Sequence, residues 1–404
     1  MPDKKKILLL MPHMVGGGAE RVASLLMNAF ADTGARTQMA LTGDRAADVV
    51  RCDLDGRTEL VLLPEILPAR TFGERLKYGV CLKLLTYILC KPFEWLRLPV
   101  PADFARLSLT VQYHREIRWL RETLQKDPQL SLIAFAQPAM PIAVLAARGL
   151  ENRVILSERG DAGRLMKKRY GRKFIEKYYR RADAVVFQTE YARSAYPAAI
   201  AEKGVVIPNP LKAGLPAPYT GERTKRAVTF CRISRQKNLP LLVDAFARFH
   251  KEFPEHSLAV YGDAPNVEGE QVLSQVKAQI REAGLADAVR FYPFSSTVHQ
   301  EILGDAMYVN SSDFEGLSNA MLESMAIGLP VVCTDCPVGG ARSVITDGEN
   351  GLLVPMQDPQ ALADAMGRLA DDPALSARVS KNAALLRESL SLPAIAGRWL
   401  RLTD

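Results

Sequence analysis

Along this chain, short uninterrupted apolar runs recur, and the first leads through a glycine-rich turn into an amphipathic helix. The runs Lys4–Leu10, Thr37–Leu41, Leu132–Phe135, Val154–Ser157 and Ala184–Gln188 do not alternate apolar with polar, so they read as strands buried on both faces of a parallel sheet. A helix over Ala19–Ala31 follows the first run, as a βα unit requires. The stretch Pro208-Asn-Pro-Leu-Lys-Ala-Gly-Leu-Pro-Ala-Pro breaks the rhythm and reads as a linker. The pattern then restarts with Val228–Cys231, a helix near Asn238–Phe253, Ser257–Tyr261, a helix near Gln271–Ala283, Val289–Tyr292, Met307–Asn310, a short helix and Val331–Cys333. A chain of 404 residues is too long for one core, because cores stop growing near ~250–300 residues. The expectation is α/β: two Rossmann-like domains, 1–212 and 213–385, with 386–404 a C-terminal helix packing back towards the first. Open parallel sheets bind ligands at the carboxyl ends of their strands, so two of them face to face would share one cleft.

Composition narrows the class further. With 48% apolar and 24% charged residues the chain reads as globular rather than disordered. Cys52, Cys81, Cys90, Cys231, Cys333 and Cys336 show no framework spacing, which fits thiols in a reducing compartment. Cys333 and Cys336 form a C-x-x-C, but no second pair or nearby His supplies further zinc ligands. The apolar start meets Pro12, His13 and a glycine cluster at once, so it reads as a strand rather than a signal peptide. Tyr78–Val100 is apolar but broken by Lys83, Lys91, Pro92, Glu94 and Arg97, too interrupted for a membrane span. Charge is uneven: residues 1–210 hold 33 Lys+Arg and 22 Asp+Glu, 33 − 22 = +11, leaving 52 − 33 = 19 against 45 − 22 = 23, or −4, for the remainder.

Most information lies in Asp313-Phe-Glu315-Gly316-Leu317-Ser318-Asn319-Ala-Met-Leu-Glu323-Ser-Met-Ala326. A strand precedes it, Ser318 can cap a helix, and Gly328 with Pro330 ends that helix. Free amides at its start form a ready anion site. Both carboxylates would otherwise be plain helix-start charges favouring the macrodipole. Here the chain resembles glycosyltransferase family 4, retaining enzymes of the GT-B fold whose signature is two Glu separated by seven residues. The resemblance implies that Glu315 contacts the donor sugar and Glu323 the ribose, with Gly316, Leu317, Ser318 and Asn319 completing the donor loop.

A second piece is Phe230-Cys-Arg232-Ile-Ser-Arg235-Gln-Lys237-Asn238, which opens the second half. In the family pattern an Arg after this strand and a Lys five residues on hold the donor diphosphate, roles that pass to Arg232 and Lys237; Arg235 reads as solvated charge. Positive groups aimed at a departing nucleotide diphosphate stabilise the transition state, so no metal or other cofactor is expected. Asp53-Leu-Asp55 matches the D-x-D of metal-dependent transferases, but it lies far from any donor motif. Gly16-Gly17-Gly18-Ala19-Glu20-Arg21 fails the dinucleotide fingerprint because Arg21 stands where the third Gly belongs. It resembles instead the family's Gly-Gly-Ala-Glu turn, implying donor contact at Gly17 and Gly18, and it also suits a plain tight turn. Gln188-Thr189-Glu190, Pro208-Asn209-Pro210, Tyr261-Gly262-Asp263, Cys336-Pro337-Val-Gly339-Gly340 and Asp347–Pro355 follow the family's loop order.

Acceptor contacts are expected in the first half. Ser157-Glu158-Arg159-Gly160-Asp161 is similar to a Ser-Glu-Arg-Asn-Asp-Pro run in members that extend polyprenyl-diphosphate-linked glycans, with Gly160 and Ala162 departing from it. Arg159, Asp161, His13 and Glu20 are the acceptor candidates, His13 equally suiting a loop histidine. The run Lys167–Arg181 carries eight Lys or Arg against one acid with aromatic residues between them. It suits an anionic membrane surface or lipid diphosphate, or a solvated helix; no nucleic-acid module accompanies it. Arg70–Phe104 adds aromatic residues and leucines beside Lys and Arg, a composition suited to a membrane interface.

The expectation is a retaining glycosyltransferase moving a hexose or N-acetylhexosamine from a nucleotide-sugar, favoured as a UDP-sugar, to a membrane-associated glycan. It would work as a peripheral protein at the cytoplasmic inner face of the plasma membrane. A non-hydrolysing sugar-nucleotide epimerase of the same fold and a non-catalytic glycan-binding relative are the rivals.

Overall fold

The apolar runs become parallel strands. The computed structural model describes residues 4–50, 53–68, 71–96, 98–167 and 171–404; Cys52, Arg70, Arg97, Lys168, Arg169 and Tyr170 lie outside the described residues. Contacts divide the chain into two units, Met1–Pro210 with Leu392–Asp404, and Leu211–Ser391.

The first unit holds β1 (Lys6–Met11), β2 (Arg36–Leu41), β3 (Glu59–Leu62), β4 (Leu130–Phe135), β5 (Val154–Ser157), β6 (Ala184–Phe187) and β7 (Gly204–Val206). They form one parallel sheet in the order β3-β2-β1-β4-β5-β6-β7. β4, β5 and β6 are buried along their whole length, as strands covered on both faces must be. The helix Gly18–Asp32 buries Val22, Leu25, Leu26, Met27 and Phe30 on one side.

The C-terminal helix Leu392–Leu400 belongs to this unit, whereas residues 386–391 stay with the other. It packs on Gly18–Asp32, with Trp399 fully buried 6.2 Å from the Phe135 ring. Lys5 Nζ donates to Leu400 O at 3.1 Å and Arg153 Nε to Leu402 O at 2.6 Å, which satisfies carbonyls at the chain end.

The second unit holds β8 (Arg226–Phe230), β9 (Ser257–Tyr261), β10 (Val289–Tyr292), β11 (Met307–Asn310), β12 (Val331–Thr334) and β13 (Leu352–Val354), parallel in the order β10-β9-β8-β11-β12-β13. Phe246, Val276, Met307, Val309 and Met366 are among its fully buried core residues. In both units the strand order reverses once, beside β1 and β4 in the first and beside β8 and β11 in the second. Adjacent crossovers leave in opposite directions there, which opens a crevice at the strand ends.

Candidate functional site

The reversal in the second unit brings together the two loops singled out in the sequence. After β8 the chain turns through Arg235–Lys237 in one 3-10 turn and reaches Asn238, whose positive φ of 44° sits in the left-handed region that asparagine tolerates. Asn238 Oδ1 then caps the helix Leu239–Glu252 by accepting from Leu241 N.

Hydrogen bonds tie this loop to the one after β11. Asp313 N donates to Gln236 O at 2.9 Å, and Asn238 Nδ2 to Asp313 Oδ1 at 2.8 Å. Gln236 Nε2 donates to Phe314 O and Ser311 Oγ to Lys237 O, both at 2.9 Å. Between the tied loops Lys237 Nζ pairs with Glu315 Oε1, which also accepts from Ser312 Oγ at 3.0 Å.

The Lys237 and Glu315 side chains are only 18% and 13% exposed, whereas Arg232 is open to solvent. Burial works against the Lys237 charge, but the adjacent carboxylate more than reverses that, so its pKa is held above the usual lysine value. An ammonium has three donors, and one directed at Glu315 leaves others for an incoming anion.

Two glycines bring the backbones of this site close. A Cβ on Gly340 would fall 2.1 Å from Gly316 O, and one on Gly262 would fall 1.9 Å from Cys231 O. The Gly262 position also has φ +139°, open only to glycine. The loops around Glu315 and Arg232 therefore seat only against residues without side chains.

The helix Asn319–Ala326 is capped by Ser318, whose Oγ accepts from Met321 N at 3.4 Å. Glu323 is buried on it, with Oε2 2.8 Å from His299 Nε2, and His299 is itself buried. Sequence reasoning missed His299, which lies 24 residues before Glu323 in a stretch without a motif. Phe230 stands edge-on to His299 at 5.5 Å and so brings the end of β8 to the pair.

In the first unit the expected residues follow β1. Gly16 has φ +87°, and Gly17 caps Gly18–Asp32 without a side chain. The Glu20 carboxylate folds back over it, since a Cβ on Gly17 would fall 2.1 Å from Glu20 Oε2, a buried atom with no hydrogen bond. His13 Nδ1 lies 2.7 Å from Oδ1 of the buried Asp44, whose other oxygen accepts from Met14 N. Asp44, which the sequence did not single out, fixes the orientation of that ring.

Arg159 is packed against its own unit, with Nη2 left without a hydrogen-bond partner among the described residues. Its guanidinium stacks on Phe135 at 4.3 Å and Trp399 at 5.5 Å, with Nε on Ser157 Oγ at 2.7 Å and Nη1 on Asn209 Oδ1 at 2.8 Å. It is held inside the unit between the C-terminal helix and the linker. Asp161 follows it, half-buried, at the start of Ala162–Lys167. In the basic run Phe174, Tyr178 and Tyr179 are buried, and Phe174 stacks on Tyr178 at 4.8 Å. Lys177 Nζ and Tyr178 Oη bond to Asp103 at 2.7 and 2.6 Å, holding its carboxyl down at about 2. Asp53 and Asp55 are engaged by Arg21 and Arg57. Among the described residues no group of three or more His, Cys, Asp or Glu converges as a metal site would.

Residues 220–385 match the family of glycosyl transferases group 1. The poly(glycerol-phosphate) alpha-glucosyltransferase of Bacillus subtilis is 29% identical over 174 residues, 43% of this chain and 25% of that protein. The lipopolysaccharide core biosynthesis mannosyltransferase LpsB of Rhizobium meliloti is 32% identical over 184 residues, 43% of this chain and 51% of that protein. The chain thus spans between a quarter and about half the length of these curated relatives. Anabaena Alr3699/HepE, solved with UDP and glucose, superposes with a TM-score of 0.73 at 18% identity over 98% of both chains, which shows the same fold, GT-B.

Proposed function

We propose that this chain, whose residues 220–385 match the glycosyl transferases group 1, transfers a hexose or N-acetylhexosamine from a UDP-sugar to a membrane-associated glycan, with retention. The observation that carries this reading is the pairing of Lys237 with Glu315, 78 residues apart, at the strand ends of a Rossmann-like sheet. UDP is favoured by the UDP and glucose in the Anabaena structure, and an envelope glycan by the names of the Bacillus and Rhizobium relatives.

Arg232 and Lys237 hold the diphosphate, Glu323 takes the ribose hydroxyls in place of or beside His299, and Glu315 orients the sugar. Gly17 and Gly18 bring backbone amides to the donor, and His13, Glu20, Arg159 and Asp161 are candidate acceptor contacts. The bond from sugar C1 to the phosphate oxygen breaks and one from C1 to the acceptor oxygen forms on the same face. The acceptor proton passes to the departing phosphate oxygen, so no separate protein base is needed. Fixed positive charge around that oxygen lowers the barrier, and removing one such group from an active site typically costs about 10²–10³ in rate. The protein works without a metal, as a peripheral protein at the cytoplasmic face of the plasma membrane. No helix among the described residues is long and apolar enough to cross a membrane.

The test is to offer UDP-, GDP- and ADP-sugars with membrane lipid extract and to measure nucleotide release. Release that depends on extract and is lost in Glu315→Gln is expected. Conversion of the donor, without extract, into an epimeric nucleotide-sugar would make the protein an epimerase, and no nucleotide-sugar binding would make it a non-catalytic relative.

A further inference from the structure

Residues 72–95 run as continuous helix, with Phe72–Glu74 leading through a π-helical stretch, Arg75–Cys81, into Leu82–Trp95. It is apolar on both sides. Leu82, Thr86, Leu89, Cys90 and Phe93 turn inward towards the helix Ala102–Gln112, Phe93 meeting Phe104 edge-on at 6.0 Å, while Tyr78 stacks on His114 at 3.9 Å. Outward stand Phe72, Leu76, Val80, Leu84, Ile88 and Trp95, the first and last 84% and 81% exposed. These residues recur mostly at every fourth position. The wider π turns offset the drift that such a series undergoes round an α-helix, so they hold to one stripe. A contiguous exposed apolar stripe ordinarily marks a partner surface, and among the described residues nothing buries this one.

We propose that the outer stripe of residues 72–95 is the surface by which the protein seats on an anionic lipid bilayer. The proposal rests on the reading of a membrane-associated acceptor and gives that reading a place on the molecule. The basic helix Gly171–Tyr178 is a poorer candidate, because its aromatic residues are buried.

The charges around the stripe select the occupant. Among the described side chains of this helix the charges are Lys77, Lys83 and Lys91 against Glu74. Lys77, Lys83 and Lys91 are exposed, and Lys91 Nζ lies 5.4 Å from the centre of the Tyr87 ring. Long lysine stems can lie along an apolar surface with their heads at the phosphate level, while Trp95 and Tyr87 suit the headgroup boundary. A second copy, meeting the stripe across a twofold axis, would set the lysines of one copy among those of the other. An anionic leaflet neutralises them.

The test uses the full chain with vesicles of phosphatidylcholine alone and of phosphatidylcholine with phosphatidylglycerol. Co-sedimentation with the anionic vesicles, weakened by salt, and a blue shift in emission that Trp95→Phe removes are expected. Leu84→Asp with Ile88→Asp, both at exposed positions, should lower partitioning by roughly tenfold or more while leaving nucleotide binding unchanged. Lys83→Glu should weaken binding to anionic vesicles and not to neutral ones. Failure of the wild type to bind either vesicle, or equal binding by the double variant, would overturn the proposal. So would an oligomer seen by light scattering that the double variant abolishes in a protein that ignores vesicles. Vesicle binding without nucleotide-sugar turnover would leave the surface standing and refute the reaction instead.

Discussion

Removing either member of the Lys237–Glu315 pair strands the other in a site that is mostly closed to water. A fully buried pair broken from one side costs about 3–5 kcal/mol. With side chains 18% and 13% exposed, solvent relieves part of that, which leaves about 2–3 kcal/mol for Lys237→Met or Glu315→Gln alone. In a domain of this size each kcal/mol shifts Tm by about 2–4 °C, so each single variant should melt the second unit about 4–12 °C lower. The double variant removes both charges and should lose less than the sum, with a coupling of about 1–3 kcal/mol. Scanning calorimetry reads the total, and tryptophan emission separates the units because Trp95, Trp119 and Trp399 all belong to the first. Strictly additive shifts would mean that the two groups are not coupled and would remove the argument that Glu315 holds Lys237 ready for a diphosphate.

Gly340→Ala should push the Glu315–Leu317 loop aside, since its Cβ would fall 2.1 Å from Gly316 O; transfer should drop by roughly tenfold or more, while circular dichroism shows the fold retained. Burial against Phe249 and Phe253 lowers the pKa of His256 against an upward pull from Glu255. The unfolded chain therefore takes up the proton first, and the second unit should lose stability as pH falls below 6.5 through the lower folded-state value. Urea midpoints measured on either side of that value should show a slope that His256→Phe removes. Arg159→Met should cost the first unit about 1.5–3 kcal/mol in charged hydrogen bonds, with the unfolding midpoint read from tryptophan emission; an unchanged midpoint would deny the buried role.

The central strands were legible because burial on both faces leaves one kind of signal, an unbroken apolar run such as Val154–Ser157 or Val331–Cys333. The short outer strands Glu59–Leu62, Gly204–Val206 and Leu352–Val354 escaped it. They are three or four residues long, at a sheet edge, with some positions half-exposed, and pairing with a neighbour rather than apolarity defines them. Glu315, Arg232 and Lys237 were legible because a local turn fixes their spacing. The partners of His13 and Glu323 were not, since Asp44 and His299 lie 31 and 24 residues away and meet them only when strands pair. The packing of Arg159 was not legible for the same reason: its place depends on Trp399, which the C-terminal helix carries back to Phe135. Composition marked the 72–95 helix as interfacial but gave no sign of the π turns that align its outer face.

The most direct measurement is a calorimetric titration of UDP into the purified protein, with Arg232→Ala and Glu323→Ala beside it. One UDP should bind per chain, weakened roughly tenfold or more by each substitution, about 1.4 kcal/mol or greater. Binding that both variants leave intact, or no binding of UDP, GDP or ADP by the wild type, would contradict a diphosphate site at the ends of β8 and β11.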